Sequence, residues 1–500
     1  MRRAWCAAAL ASLLVSACGS TVQLHGSTTL GGDAGLGSPV GSGADGAGVP
    51  TAGPGSAAGS LGGTGVSGGG TGGGAAGGAT SGSGQPITPA TRPAAGAVLK
   101  PIQVGILLYP DLNDFANTFG ATADAGNQGL EVDTAVKWIN AHGGAAGHKV
   151  EVIKHNVSLT SADTYDQLAQ QACQDFTVDH HVVAVLAPGT SVSDNFAACL
   201  QKKGVLYLVS GHWVHDAQDW RQYSNMWSSG EADGRGIGQA MVDQLLQRRY
   251  AVKGDSVGLM VMEEPGAVRT ADSIIKPQLA AAGIKVTEYT VPPPASTSDI
   301  SNSVAVDDSA ELKMASQNIK TVLFLCPGCL SFFAQNADSQ KYYPRYIGSS
   351  IDVPSGISGS GNSNTMKSAV MIGYQPDYDV GLHSHPKELT GNPGRALCKA
   401  IMAPSGQAKG DLSELATQEI CDAFLDVKYA AELNPANPLT GPALQQGMGL
   451  FGSRFACPLN YGTLLRPDHH GGETSYRMMH WDAGSTTFVY DNATRLALRF

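Results

Sequence analysis

Charged residues are scarce in this sequence, and acidic residues outnumber basic ones. Asp, Glu, Lys and Arg together make up 15% of the 500 residues, and the formal net charge is −10. No long basic run follows Arg3, whereas a nucleic-acid surface needs clustered Lys and Arg to contact the phosphates. The composition therefore argues against nucleic-acid binding.

Long apolar runs are also missing. No segment has eighteen uninterrupted apolar residues, so the sequence predicts no membrane-spanning helix. Near the start, Arg2-Arg3, a short apolar run at 7–15 and the sequence Val15-Ser16-Ala17-Cys18 follow the order of a bacterial lipoprotein signal. We expect cleavage after residue 17 and lipid attachment at Cys18, which would anchor the chain on the extracytoplasmic face of the cell membrane. An ordinary secretory signal is the alternative.

Aromatic side chains are absent from residues 19–100, where Gly, Ser, Ala, Thr and Pro predominate. Such a composition cannot bury enough apolar surface to offset the entropy lost on ordering, so we expect a disordered linker over residues 18–100. A flexible segment of this length spans a root-mean-square distance of roughly 50 Å. The sequence therefore predicts a spacer between the lipid anchor and the remainder of the chain.

Regular alternation of strand and helix patterns begins at Ile102. Short apolar segments typical of buried strands occur at 102–108, 149–154, 182–186, 205–209, 256–262, 285–289 and 321–325, with helical patterns between them. This alternation predicts parallel sheets with crossover helices. The segments form two α/β units of similar size, which indicates a bilobed protein with a cleft.

The expected division assigns residues 101–215 and 353–465 to a first lobe, and residues 216–352 and 466–500 to a second lobe. The apolar segment at 369–373 is predicted as a strand that re-enters the first lobe. Residues 414–433 are predicted as a helix, and 476–481 with 487–490 as a β-hairpin.

Several segments resemble the type I periplasmic solute-binding proteins, specifically the branched-chain amino acid and amide receptors of ABC importers. They lie at 102–109, 136–150, 183–191, 204–210 and 344–350, and the second, VKWINAHGGAAGHKV, has the Ile-Asn, Gly-Gly and Gly-basic pattern of that family. The resemblance implies two Rossmann-like lobes with parallel sheets, joined by a multi-crossing hinge, that close on a small polar ligand such as an amino acid or amide. It also implies an ABC permease as partner and a binding protein that is not an enzyme, and we expect no cofactor.

Ligands of open parallel sheets bind beyond the carboxyl ends of the strands. That rule selects six loops, and the candidate ligand-binding residues in them are Tyr109, Gly189, Thr190, Ser191, Ser210, Gly211, Trp213, Glu263, Glu264, Cys326, Ser350 and Asp352. We expect hydroxyl and N–H groups at 189–191 to hold an acceptor group such as a carboxylate, and the acids to hold an ammonium group. Helix capping and solvated loop acids are the alternatives.

The cysteine count is odd once Cys6 is removed with the signal and Cys18 is acylated, so at least one thiol is expected to be free or paired outside the chain. Cys173 and Cys199 lie on consecutive predicted helices, which makes a structural disulfide plausible. Cys398 and Cys421 lie in one late segment, and Cys457 competes for either of them.

The sequence Cys326-Pro327-Gly328-Cys329 lies between a strand and a helix, as thioredoxin-like redox motifs do. A surface thiol–disulfide oxidoreductase is therefore a rival function, and a ligand sensor or structural protein with the same fold is another. We favour a local disulfide that shapes the cleft loop. A zinc site would need two further ligands, and the sequence has no HExxH motif and no second CxxC, so we expect no metal site.

Overall fold

The computed structural model describes residues 99–118, 124–189, 194–211, 213–357, 363–381, 384–386, 389, 391–491 and 494–499. The expected signal segment, Cys18 and the linker up to residue 98 lie outside the described residues. Within the described residues there are two sheets, each with its own apolar core. The predicted α/β class with two Rossmann-like lobes is confirmed.

The strands are β1 (Ile102–Leu108), β2 (Val150–Asn156), β3 (Ala184–Pro188), β4 (Leu206–Ser210), β5 (Met226–Trp227), β6 (Ser256–Met262), β7 (Lys285–Val291), β8 (Thr321–Leu325), β9 (Arg345–Ser349), β10 (Val370–Gly373), β11 (Ser475–Asp482), β12 (Thr487–Tyr490) and β13 (Leu496–Ala497). Lobe 1 contains the parallel sheet β2-β1-β3-β4-β5. Lobe 2 contains the sheet β12-β11-β10-β9-β8-β6-β7, in which β6 to β10 are parallel and β11 is antiparallel to β10 and β12.

The helices are α1 (Leu112–Thr118), α2 (Gln128–Ala141), α3 (Tyr165–Gln174), α4 (Asp194–Lys202), α5 (Ala217–Gln222), α6 (Gly234–Gln247), α7 (Pro265–Thr270), α8 (Lys276–Ala281), α9 (Ile300–Ser316), α10 (Cys329–Ser339), α11 (Pro354–Ile357), α12 (Ser363–Met366), α13 (Pro376–Asp379), α14 (Pro393–Met402), α15 (Asp411–Leu433) and α16 (Gly441–Gly449). Single π-helical turns at Asp175–Asp179 and Ala271–Ile275 extend α3 and join α7 to α8. Short 3₁₀ turns occur at Thr297–Asp299, Ser350–Asp352 and Ala403–Ser405. Among the described residues, no helix combines the length and the apolar character needed to cross a membrane.

Apolar side chains explain where the two cores form. All five residues of β3 and of β8 are buried, as expected for strands covered on both faces by helices. Helix α15 is buried along most of its length and packs against α2 and β3 in lobe 1. It therefore lies inside the lobe, although it carries four acidic side chains, Glu414, Glu419, Asp422 and Asp426, that are themselves buried.

The lobe boundaries differ from the predicted ones at two strands. The segment at 369–373 does form a strand, β10, but β10 pairs with β9 in lobe 2 and does not re-enter lobe 1. Conversely, β5 pairs with β4, so lobe 1 extends at least to Trp227 and not only to residue 215. The second part of lobe 1 accordingly begins after Gly373 and not at residue 353. The C-terminal hairpin lies in lobe 2 as expected.

The chain crosses between the lobes three times within the described residues, after Trp227, after Gly373 and before Ser475. The crossing segments lie side by side, because Ser228 forms a parallel bridge with Gly471 and its carbonyl accepts a hydrogen bond of 2.8 Å from the Gly472 N–H. The Gln375 side chain donates to the Gly230 carbonyl at 3.1 Å. These contacts hold the crossings together as a single hinge.

Disulfides join Cys173 to Cys199, Cys326 to Cys329, and Cys398 to Cys421. Cys457 is buried and unbridged, and its thiol donates to the Asp422 carboxylate at 3.6 Å.

Candidate functional site

A cavity of about 460 Å³ lies between the two lobes, at the carboxyl ends of their strands. Its volume falls in the range of about 300–1,000 Å³ that is typical of small-molecule sites. Segments that follow β1, β2, β3 and β4 line it from lobe 1, and segments that follow β6 and β7 line it from lobe 2. The lining residues are Tyr109, Val157, Leu159, Thr164, Tyr165, Asp166, Leu168, Asp194, Asn195, Trp213, Val214, His215, Asp219, Glu264, Pro265, Gly266, Pro293, Pro294 and Ala295.

The beginnings of two helices build part of the lobe 1 wall. Thr164 caps α3 through a capping box with Gln167, which fixes the direction of Tyr165 and Asp166 at the helix start. Asp194 and Asn195 open α4, and the Asn195 side-chain amide donates to the Asp166 carboxylate at 3.1 Å. The wall therefore presents the carboxylates of Asp166 and Asp194 together with the ring of Tyr165.

His215 lies where the chain leaves β4 and passes the hinge. Its Nδ1 is 2.9 Å from Oε2 of Glu231, while the other oxygen of Glu231 accepts the Gly211 N–H at 2.8 Å. Burial alone would lower the pKa of His215, but the charge and hydrogen bond of Glu231, with the charges of Asp219 and Asp194, outweigh it and raise the pKa to about 9. His215 is therefore an imidazolium at neutral pH.

An arginine from lobe 2 neutralises two further acids at the edge of the cavity. The Arg269 guanidinium bonds Asp216 through Nε and Nη2 at 2.7 and 2.8 Å, and Nη2 also bonds Asp219. Asp216 caps α5 and its pKa is lowered, because hydrogen bonds from Arg269 and backbone N–H groups outweigh its partial burial. Asp219 lines the cavity with its charge already compensated.

Asp194 and Glu264 line the cavity from opposite lobes without a salt bridge, although a hydrogen bond with Tyr223 and the charge of His215 partly stabilise the Asp194 carboxylate. Burial raises the pKa of Glu264 to about 7, and the charge of Asp194 adds to this effect. Burial likewise raises the pKa of Asp194. Neither carboxylate forms an ion pair with a described residue, and Glu264 makes no capping hydrogen bond to α7. The cleft therefore holds acids that are costly to ionise without a partner.

The two lobes also touch directly at the mouth of the cleft. The Tyr165 N–H of lobe 1 donates to the Ala295 carbonyl of lobe 2 at 2.9 Å. The Thr297 hydroxyl of lobe 2 donates to the Leu159 carbonyl of lobe 1. These bonds join the segment after β2 to the segment after β7, so this conformation has the lobes in contact on that side.

Three of the predicted site residues line the cavity: Tyr109, Trp213 and Glu264. Gly189 lies beside it, next to a separate cavity of about 20 Å³, and its N–H donates to the Ser210 hydroxyl at 3.1 Å. Gly211 is held by Glu231, as described above. Thr190 and Ser191 lie outside the described residues.

The remaining four candidates lie away from the cavity. Glu263 is exposed, and its N–H bonds the Val291 carbonyl at 2.8 Å. Ser350 and Asp352 look like loop polar residues in the sequence, but both are buried: the Ser350 hydroxyl bonds Asp379, and Asp352 accepts the Ser349 N–H in a capping box. Cys326 directly follows β8 and is fully buried.

The structure around Cys326 and Cys329 argues against a thiol–disulfide oxidoreductase. Cys326 and Cys329 are bridged to each other, and their residues are 0% and 4% exposed. A partner thiolate would have no path to either sulfur, whereas redox-active cysteines are solvent-accessible.

Other lining residues were missed by the sequence reasoning. The strand-end rule was not applied to β2 and β7, although both strands were predicted, and the loops after them supply residues 157–166 and 293–295. The three consecutive prolines at 292–294 were a visible signal that a strand ends there. Asp194 and His215 gave no such signal, because their position depends on how the lobes face each other. Among the described residues, no group of His, Cys, Asp and Glu is arranged to hold a metal ion.

Comparison with known proteins agrees with this architecture. The sequence model described as periplasmic binding protein matches residues 101–486. No curated protein sequence matches the chain.

Solved structures share the fold at low sequence identity. A possible leucine/isoleucine/valine-binding protein from Rhodopirellula baltica SH 1 superposes with a TM-score of 0.54 at 12% identity, covering 81% of this chain and 98% of its own. A branched-chain amino acid ABC transporter protein from Thermus thermophilus with bound valine gives 0.56 at 13% identity, covering 79% and 96%. A solute-binding protein of an ABC transporter from R. palustris in complex with 4-hydroxybenzoate gives 0.55 at 13%, also covering 79% and 96%.

The family match covers more than half of the chain, and the two-lobed fold with its cleft agrees with it. The protein therefore belongs to the periplasmic binding protein family.

Proposed function

We propose that this protein is an extracytoplasmic solute receptor of an ABC importer, anchored through lipid on Cys18, that binds a small polar ligand between its lobes. The observation that carries the proposal is the 460 Å³ cavity, which strand-end segments of both lobes line. A ligand there would contact Tyr109, Trp213 and Glu264. Related structures with bound valine and with 4-hydroxybenzoate support a small organic solute.

Ligand binding would act on the equilibrium between open and closed lobes. A ligand favours the closed state only through contacts that the open state lacks, and a cavity with one wall on each lobe supplies such contacts. The bonds from Tyr165 to Ala295 and from Thr297 to Leu159 would form only when the lobes approach. The closed form would then present both lobes to the permease, and no bond in the solute would change.

Binding can be tested with the full chain purified from bacterial membranes. We expect at least one class among amino acids, amides, amines, short peptides and sugars to raise the melting temperature and to change tryptophan fluorescence. The Trp213→Phe variant should lose most of the fluorescence change, because Trp213 lines the cavity. Trp138→Phe is the matched control, since Trp138 stacks on His142 away from the cavity. No response to any class would refute the receptor function.

Anchoring needs its own experiment. The Cys18→Ser variant should no longer incorporate labelled fatty acid and should leave the detergent-soluble membrane fraction. Unchanged labelling and unchanged membrane association would refute a lipid on Cys18, without affecting the ligand-binding proposal.

A further inference from the structure

The cavity has an excess of negative charge. Its described lining residues include four acids, Asp166, Asp194, Asp219 and Glu264, and the one cationic side chain among them is His215. Arg269 compensates Asp219 from the rim, and Glu231 compensates His215 from behind. No described lining residue therefore offers a free cation to a ligand carboxylate.

Two of these acids form no salt bridge with a described residue and line the cavity from opposite lobes. Asp194 belongs to lobe 1 and Glu264 to lobe 2, and the Asp194 charge already raises the pKa of Glu264. Bringing the lobes together would press two like charges toward each other unless a cation lies between them. A positively charged ligand group would turn this repulsion into an attraction that operates only in the closed state.

His215 is an independent sign that a ligand completes the cavity. The residue is 8% exposed and lines the cavity, its Nδ1 is engaged by Glu231, and its Nε2 has no partner among the described residues. Because Nε2 is not engaged by a described residue, it can donate to an oxygen of a ligand or of a water that the ligand holds. Because Glu231 already balances the charge of the His215 imidazolium, the oxygen that accepts from Nε2 can be neutral.

Apolar and aromatic surface lines the rest of the cavity. Tyr109, Trp213, Pro265 and Pro293 supply it, and a cation held near the Trp213 indole would gain further stabilisation from the ring. The cavity thus combines an anionic end with an apolar body.

We propose that the ligand is an organic cation without a carboxylate, an amine or guanidine with an apolar or aromatic body, whose positive group lies between Asp194 and Glu264. This inference rests on the proposed receptor function and specifies its substrate class. It distinguishes this chain from a receptor for zwitterionic amino acids, because a ligand carboxylate would add negative charge to an acidic cavity.

Calorimetric titration of the full chain with matched compounds tests the ligand class. One series is phenethylamine, phenylalanine and 3-phenylpropionate; the other is 3-methylbutylamine, leucine and 4-methylpentanoate. Within each series the apolar body is the same, and the compounds differ in whether they carry an ammonium group, a carboxylate or both. Agmatine adds a guanidinium. We expect a cation to bind at least about tenfold more tightly than its amino acid, and the carboxylates not to bind, because a charged hydrogen bond is worth about 1.5–3 kcal/mol.

Each outcome of the titration separates the two proposals. An amino acid that binds as tightly as its amine, or more tightly, would overturn the cation assignment and leave the receptor function standing. If no cation binds while another class in the wider solute panel does, the cation assignment is equally overturned. If no compound of any class binds, the receptor function fails as well.

Two neighbouring carboxylates provide a matched pair of variants. Glu264→Gln removes an acid that lines the cavity, whereas Glu263→Gln removes an exposed acid one residue earlier that does not line it. We expect Glu264→Gln and Asp194→Asn each to weaken cation binding about tenfold or more, with Glu263→Gln unchanged. Melting temperatures without ligand should stay at or above the wild-type value, which shows that the variants fold. Equal weakening by Glu263→Gln and Glu264→Gln would overturn the assignment.

Discussion

Arg395 offers a sharp test of how the second crossing is fixed to lobe 1. Its guanidinium forms two bonds with Asp377 of α13, from Nη1 at 2.6 Å and from Nη2 at 2.8 Å, and Nη2 also lies 3.2 Å from Glu414 of α15. Arg395 is 2% exposed. The Arg395→Leu variant would therefore leave the buried Asp377 carboxylate without its arginine, beside His385, whose Nε2 lies 3.3 Å away and whose pKa is lowered by burial.

The expected cost is large because an unpaired buried charge remains. Removing one member of a buried ion pair destabilises a protein by about 3–5 kcal/mol. For a lobe of roughly 200 residues this corresponds to a fall in melting temperature on the order of 10 °C. Urea unfolding and differential scanning calorimetry of the variant would measure the loss.

A surface ion pair is the control for this prediction. Arg248 bonds Asp491 at 2.8 Å but is partly exposed, so Arg248→Leu should cost under about 1 kcal/mol. A double variant, Arg395→Leu with Asp377→Leu, should recover part of the loss because it leaves no unpaired Asp377 charge. Equal effects of Arg395→Leu and Arg248→Leu, or a double variant no better than the single one, would refute the reasoning.

Three further predictions concern protonation, packing and closure. Burial raises the pKa of Glu419 to about 8, so the fold is more stable at low pH, where Glu419 is protonated, and loses this contribution as pH rises toward 8. Glu419→Gln should therefore reduce the fall in melting temperature between pH 5 and 8.5. Gly266→Ala should lower ligand affinity and stability, because a Cβ there would overlap the Val214 carbonyl. Thr297→Val should weaken ligand binding about fivefold in calorimetry through loss of its bond to Leu159.

Matched substitutions make these predictions refutable. Glu151→Gln changes an exposed acid and should leave the pH profile as in the wild type, whereas an identical slope in Glu419→Gln would contradict the role of Glu419. Gly410→Ala introduces a Cβ with no atom within 4 Å, so a loss as large as that of Gly266→Ala would show that the overlap is not the cause. Unchanged affinity in Thr297→Val would mean that the contact at the cleft mouth does not accompany binding.

The fold was predictable because its signal is repetitive. Each strand is a short apolar run and each helix follows with its own pattern, so the α/β class and the two lobes followed from the sequence. The strand β10 shows the limit: Val370–Gly373 is apolar throughout and fits either sheet, and its pairing with β9 depends on the path of the preceding twenty residues. The lobe boundary was placed too early at residue 215 because Met226–Trp227, a strand of only two residues, was not predicted as a strand.

The site was predictable only where it follows directly from strand ends. Tyr109 and Glu264 come soon after strands and line the cavity as the rule suggests. Ser350 and Asp352 obey the same rule, but a local capping box and the contact with Asp379 direct them into lobe 2. A strand-end rule cannot distinguish a side chain that bonds within its own loop from one that faces a ligand.

The carboxylates near the hinge and in the cleft differ in their hydrogen bonds. At the crossings, Glu231 bonds Gly211 and His215, and the Asn460 amide donates to the Ser229 carbonyl at 2.8 Å, whereas Gln375 Oε1 and Trp227 Nε1 are buried without a partner in the described part of the chain. In the cleft, Glu264 has no such partner among the described residues. Because a carboxylate that is removed from water without a donor is costly, a ligand that donates to Glu264 would complete this part of the cavity.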